Sequence, residues 1–151
     1  MKDMNSPAAL LSYADVEAAH ARIKPYIHET PIMTSSYFNE VTGAELFFKC
    51  ENFQKAGAFK VRGASNAVFG LDDEVAAKGV ATHSSGNHAL SLSYAAGRRG
   101  IPCTVVMPRT APEAKKAAVR GYGGKIVECE PSTSSREATF AEVVAETGAE
   151  F

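Results

Sequence analysis

Lys60 directly follows an aromatic residue in Ala58-Phe59-Lys60-Val61-Arg62-Gly63, and small residues surround it at Gly57, Ala58, Gly63 and Ala64. A lysine amine condenses reversibly with an aldehyde. One well-placed lysine can therefore hold an aldehyde cofactor as a Schiff base. Once a substrate amine displaces it, the same amine can move a proton on and off the substrate carbon. That chemistry needs a rigid mount and partial removal from water, so that a useful fraction of the amine is neutral. A strand-to-helix turn through Gly57-Ala58 offers such a mount, Phe59 can pack on a flat ring, and the small residues leave room for one. Taken by itself, Lys60 reads as an ordinary surface lysine on a helix.

A second polar segment, Ser84-Ser85-Gly86-Asn87-His88, joins an expected strand to an expected helix. Ligands of open α/β sheets bind beyond the carboxyl ends of the strands. A helix N-terminus there adds unpaired N–H groups and a dipole that favours an anion such as a substrate carboxylate. Gly86 permits close backbone approach, and the Asn87 amide can donate to an oxygen of a ring. Without the lysine segment, the same residues would read as a plain Ser/Asn helix cap.

The elements that must position these segments are legible as periodicity. Ser12 with Asp15 forms an N-cap pattern for a helix running to about Tyr26, and His28-Glu29-Thr30-Pro31 is an extended connector. Ser35 to Thr42 is a short helix stopped by Gly43, Leu46 to Cys50 a strand, and Phe59 to Phe69 a helix. From Val80 a regular alternation begins, with strands at Val80–His83, Cys103–Met107 and Lys125–Cys129. The helices between and after them run from Asn87 to Arg99, from Pro112 to about Arg120, and from a Ser134 or Ser135 cap to about Thr147. This rhythm predicts an α/β fold, an open, twisted parallel sheet of βαβ units with helices on both faces. Residues 1–11 are expected to be a mobile lead-in, and Glu150-Phe151 to open a further strand.

The bulk properties fit one globular domain. The chain has 151 residues, a formal net charge of −1 and average apolar and charged fractions. Lys115, Lys116 and Arg120 make a small basic cluster, expected to be a solvated helix face rather than a nucleic-acid surface. No apolar run is long enough for a membrane span and no signal-like core follows the N-terminus, so the expected location is the cytoplasm. The three cysteines, Cys50, Cys103 and Cys129, are expected to be small buried hydrophobes, and neither they nor the four histidines have metal-ligand spacing. No G-x-G-x-x-G follows a strand, which argues against a Rossmann-type nucleotide binder.

The string Lys49-x-Glu51-Asn52-x-Gln54-x-x-Gly57-x-Phe59-Lys60-x-Arg62-Gly63-Ala64 resembles the cofactor-lysine signature of the pyridoxal-phosphate (PLP) dependent serine/threonine dehydratase and serine racemase family, which has fold type II. The Ser84 to His88 loop, His28-x-Thr30-Pro31, Thr34-Ser35-Ser36 and Pro108-x-Thr110-Ala111-Pro112-x-x-Lys115 extend the resemblance. It implies a Schiff base on Lys60, with Phe59 and Asn87 as further cofactor contacts and Asn87 on the PLP 3-hydroxyl. Ser84, Ser85, Gly86, Asn87 and His88 would hold the substrate. Lys60 would take the Cα proton of a small β-hydroxy amino acid, and loss of the hydroxyl would lead to a keto acid and ammonia. Serine racemases carry serine at Ser85, on the cofactor face opposite the lysine, so Lys60 and Ser85 form a candidate acid/base pair. Hydroxyaspartate dehydratases of the family share that serine.

The resemblance also implies that residues 1–79 belong to a large PLP-binding domain and 80–151 to a small α/β domain, within a homodimer about twice this long per chain. The further half is expected to carry the glycine-rich phosphate loop and the acidic residues of a divalent-metal site. It would also cover apolar surface that the present elements leave exposed. Mg2+ and ATP act in some members of the family, but this chain supports neither, and Leu90 replaces the glutamine usual near the nucleotide. Gly121-x-Gly123-Gly124 reads as a turn. The alternative to an enzyme is a non-catalytic fragment that folds in part.

Overall fold

The structure is a computed structural model and describes residues 11–150. Nearly all of the expected lead-in, and Phe151, lie outside those residues. The centre is a parallel sheet of β3 (Val80–His83), β4 (Cys103–Pro108) and β5 (Lys125–Cys129), in that order. Val80 pairs with Cys103, and Val105 pairs with Ile126. Side chains alternate across a strand, and here both faces are buried. Val80, Cys103, Val105 and Met107 point to one side, against α5 (Asn87–Arg99), α6 (Glu113–Gly121) and α3 (Lys60–Gly70). Ala81, Val106 and Cys129 point to the other side, against Val143 of α7 (Thr133–Thr147). This is the expected α/β sheet with helices on both faces. Its strands are continuous apolar runs because neither face meets water.

After β5 the chain crosses behind the sheet through α7 and returns to the free edge of β3. Glu150 bridges Val80 in parallel, with Ala81 N–H donating to the Glu150 carbonyl at 2.8 Å and Glu150 N–H to the Gly79 carbonyl at 3.0 Å. The strand order therefore reverses at β3. In open α/β sheets that reversal is where a crevice opens beyond the carboxyl ends of the strands, and the loop leaving β3 is Ser84 to His88.

The first part of the chain is less regular. α1 (Tyr13–Ile23) starts with the expected capping box, in which the Ser12 side chain accepts from Asp15 N–H and Asp15 accepts from Ser12 N–H. It ends at Ile23, and a 3-10 turn follows over Lys24–Tyr26. α2 (Ser36–Thr42) ends at Gly43, as expected. The expected strand from Leu46 to Cys50 contracts to β2 (Phe48–Lys49), paired antiparallel with β1 (Ile32–Met33). Ile32, Met33, Tyr37, Phe38, Val41, Phe47 and Phe48 are all exposed.

Three local expectations are corrected. Ser132, not Ser134 or Ser135, caps α7 and accepts from Ser135 N–H at 3.2 Å. The basic cluster is not a solvated face, because Lys116 is buried and its amine donates to the Arg109 carbonyl at 2.9 Å and to Glu128 at 2.6 Å. Its apolar stem is buried while its charge is paired with Glu128. Cys103 and Cys129 are buried, but Cys50 is only half-buried.

Candidate active site

The lysine segment is held by a polar scaffold that the motif itself supplies. Gln54 is buried and bonds both ways across the connector: its Oε1 accepts from His28 N–H at 2.7 Å and its Nε2 donates to the His28 carbonyl at 2.8 Å. The same Oε1 accepts from Lys55 N–H at 2.9 Å. Glu51 receives Arg62 in a bidentate pair, at 2.8 and 2.7 Å, and the Thr30 hydroxyl donates to it at 2.6 Å. Lys49 closes the network by donating to the Thr30 carbonyl at 2.6 Å. The Arg62 hydrogen bonds hold the Glu51 carboxyl down at about 2, aided by Thr30 and the charges of Arg62 and Lys49 and opposed by burial. Glu51 and Arg62 thus tie the first turn of α3, where Lys60 sits, to the segment before it.

Between Gln54 and Lys60 the backbone turns sharply. Ala56 and Gly57 both have positive φ, 55° and 68°. Ala58 is extended and buried, and Phe59 leads into α3. The turn packs on α5. Lys60 therefore starts a helix, as expected, and its Nζ lies 5.4 Å from the centroid of the Phe59 ring. Both side chains are exposed in this chain, so the expected removal of Lys60 from water is not seen. The immediate neighbours are small and the amine stands at the surface.

The Ser84 to His88 loop leaves the carboxyl end of β3. Ser84 Oγ accepts from Gly86 N–H at 3.3 Å, Ser84, Ser85 and Gly86 are half-buried, and Asn87 opens α5. No side chain caps α5, so its first-turn N–H groups face outward for an anion. Burial, and then the positive charge of Lys60, push the His88 imidazole below its usual pKa. α3 packs on α5, so the fold brings the lysine segment and the loop together across the 25 residues between Lys60 and Ser85. Asn87 is exposed, and its Oδ1 accepts from Lys115 Nζ at 3.0 Å.

These residues fit the ring end of PLP and its substrate. Lys60 would supply the amine, Asn87 an amide, and α5 its N-terminus. A Cβ added at Gly57, Gly63 or Gly86 would meet nothing within 4 Å, so the cradle is open where a flat group needs space. Gly124, by contrast, is packed: a Cβ there would lie 2.7 Å from Ser93 Oγ and 2.8 Å from Val119 Cγ1. The Gly121-to-Gly124 stretch is thus the turn between α6 and β5. A cavity of about 480 Å3 lined by His20, Lys24, Ile27, His28, Glu29, Lys49 and Arg62 involves neither Lys60 nor the loop. Among the described residues, no group of three or more His, Cys, Asp or Glu could hold a metal ion, and no helix is long and apolar enough to cross a membrane.

The sheet reverses at β3, and the Ser84 to His88 loop leaves its carboxyl end and opens α5, the helix against which the Lys60-bearing α3 packs. The family model for pyridoxal-phosphate dependent enzymes matches residues 23–151, and the chain belongs to that family. It is 76% identical over 140 residues to a β-hydroxyaspartate dehydratase of Paracoccus denitrificans, covering 93% of this chain and 44% of that protein. It is 54% identical over 140 residues to human serine racemase, covering 91% of this chain and 41% of that one. The structure of maize serine racemase superposes with a TM-score of 0.87 at 54% identity, over 89% of this chain and 41% of that chain. The chain thus spans less than half the length of these relatives.

Two features were not legible beforehand. Glu51, Gln54 and Arg62 are in the motif, but sequence alone does not separate scaffold from site. Lys115 is in the Pro108 to Lys115 pattern, yet its contact with Asn87 spans 28 residues and has no local signature.

Proposed function

We propose that this chain forms the lysine-bearing part of a PLP-dependent enzyme that eliminates water from small β-hydroxy amino acids, the enamine product then taking up water to give a keto acid and ammonia. The observation that carries this reading is Lys60 at the start of α3, a helix packed on α5, which the Ser84 to His88 loop opens. When bound, PLP supplies an electron sink for the pair left at Cα after its proton departs. The chain's residues then have separate tasks. Lys60 would hold the cofactor and take the Cα proton. The α5 N-terminus and the Ser84 to His88 loop would bind the α-carboxylate and orient that proton toward Lys60. Asn87 would donate to the cofactor's ring oxygen, and Phe59 would pack against its ring.

The high identity to a β-hydroxyaspartate dehydratase favours β-hydroxyaspartate over serine and threonine as the substrate to assay first. A second reading rests on Ser85, whose hydroxyl can return a proton from the face opposite Lys60 and so racemise serine. The division into 1–79 and 80–151, a homodimer joined through the exposed apolar side of β1, β2 and α2, and a cytoplasmic location complete the reading.

The test is borohydride reduction of the protein with PLP, followed by peptide mapping. A reduced adduct on Lys60, absent in Lys60→Ala, is expected. Adducts scattered over surface lysines with none at Lys60 would overturn the assignment. Ser85→Ala distinguishes the two chemistries, since it should abolish racemisation and leave keto-acid formation.

A further inference from the structure

Lys115 has no role in the reading above, yet it is the partner of a residue that does. Lys115 is half-buried at the start of α6, and its ammonium donates to Asn87 Oδ1 at 3.0 Å. An ammonium has donors only. Whatever lies against it must be the acceptor end of the amide, so the carbonyl oxygen of Asn87 faces Lys115 and the Nδ2 donors face away. That orientation follows from the chemistry of the pair. A ring phenolate accepts hydrogen bonds and cannot donate them, so Asn87 serves it only with Nδ2 forward. The neighbouring positive charge also polarises the amide and strengthens its N–H as a donor.

We infer that Lys115 is a positioning residue: it fixes the Asn87 amide with its donor end toward the cofactor oxygen and thereby sets the protonation equilibrium of the Lys60-bound cofactor. This inference rests on the PLP reading. A hydrogen bond donated to the phenolate competes with the proton shared between that oxygen and the nitrogen contributed by Lys60. It therefore makes the protonated nitrogen less favourable. Losing Lys115 frees the amide to rotate and weakens that donation, so the proton is held to higher pH.

The test is a pH titration of the visible absorbance of the PLP-loaded protein, which reads the equilibrium without turnover. Lys115→Met keeps the apolar stem, and circular dichroism checks that the fold is retained. The midpoint should rise by roughly half a unit to one unit, the size of one ordinary hydrogen bond, and Lys115→Arg should restore it. The combination of Lys115→Met with Asn87→Ala should titrate as Asn87→Ala alone, because Lys115 acts through Asn87. Three outcomes overturn the inference: a midpoint unmoved by Lys115→Met, a shift that adds to that of Asn87→Ala, or failure of Lys115→Arg to restore it. If the unaltered protein forms no Lys60-bound chromophore, the PLP reading itself falls, which distinguishes the two failures.

Discussion

Replacing Glu51 with glutamine tests whether the motif's polar residues build the mount for Lys60. Glu51 accepts two hydrogen bonds from Arg62 and one from Thr30, and its carboxyl falls from 4.5 to about 2. At about 1.36 kcal/mol per pKa unit, that shift corresponds to roughly 3.4 kcal/mol. The side chains of Arg62 and Glu51 are 29% and 19% exposed, so solvent screening cuts the usable figure to about 2 kcal/mol. A carboxyl with a depressed folded-state pKa contributes stability above its unfolded pKa and loses it as pH falls through the folded value. The contribution should therefore be full above pH 5, about two-fifths of that at pH 3, and nearly gone by pH 2. Urea unfolding of the unaltered chain and Glu51→Gln at pH 7 and pH 3 reads it directly. The gap of about 2 kcal/mol at pH 7 should shrink below about 1 at pH 3. A gap of equal size at both pH values would refute the charge-based account, and no gap at pH 7 would refute the clamp itself.

Gly86→Ala should leave urea stability within about 0.5 kcal/mol, because its Cβ meets nothing within 4 Å. The same methyl fills the substrate cradle, so KM should rise at least tenfold, and an unchanged KM would remove Gly86 from the site. Gln54→Ala deletes a buried amide that makes three hydrogen bonds and should cost about 2–3 kcal/mol in urea unfolding; a loss under about 1 would mean that water replaces it. Gly124→Ala places a methyl 2.7 Å from Ser93 Oγ and should cost about 1–3 kcal/mol without altering the Lys60 adduct. Loss of that adduct in a folded Gly124→Ala protein would return the glycine stretch to the site.

The parts of the fold that the sequence discloses are those whose geometry is local. From Val80 onward, each strand is an apolar run bounded by turn residues and each helix closes on a C-cap of its own, at Gly100, Tyr122 and Gly148, so β3 to α7 follow from neighbours a few residues apart. The lysine segment is different. β2 keeps only Phe48 and Lys49 as a strand, because its backbone is committed to the connector: Cys50 N–H reaches the Pro31 carbonyl at 3.0 Å and Gln54 clasps His28 across 26 residues. Periodicity carries no information about such pairings, and aromatic density alone overstated the strand. The same distinction runs through the site. Lys60, Gly86 and Asn87 can be picked out by residue type because the chemistry demands an amine, a bare backbone and an amide. Glu51, Gln54, Arg62 and Lys115 touch other protein groups, and any hydrogen-bonding residue could in principle do so. Their placement beside the chemistry is a product of folding, and this makes Lys115 the sharper test. A residue 28 positions from its partner can affect the cofactor only if the β3–α5 loop and α6 sit as they do here.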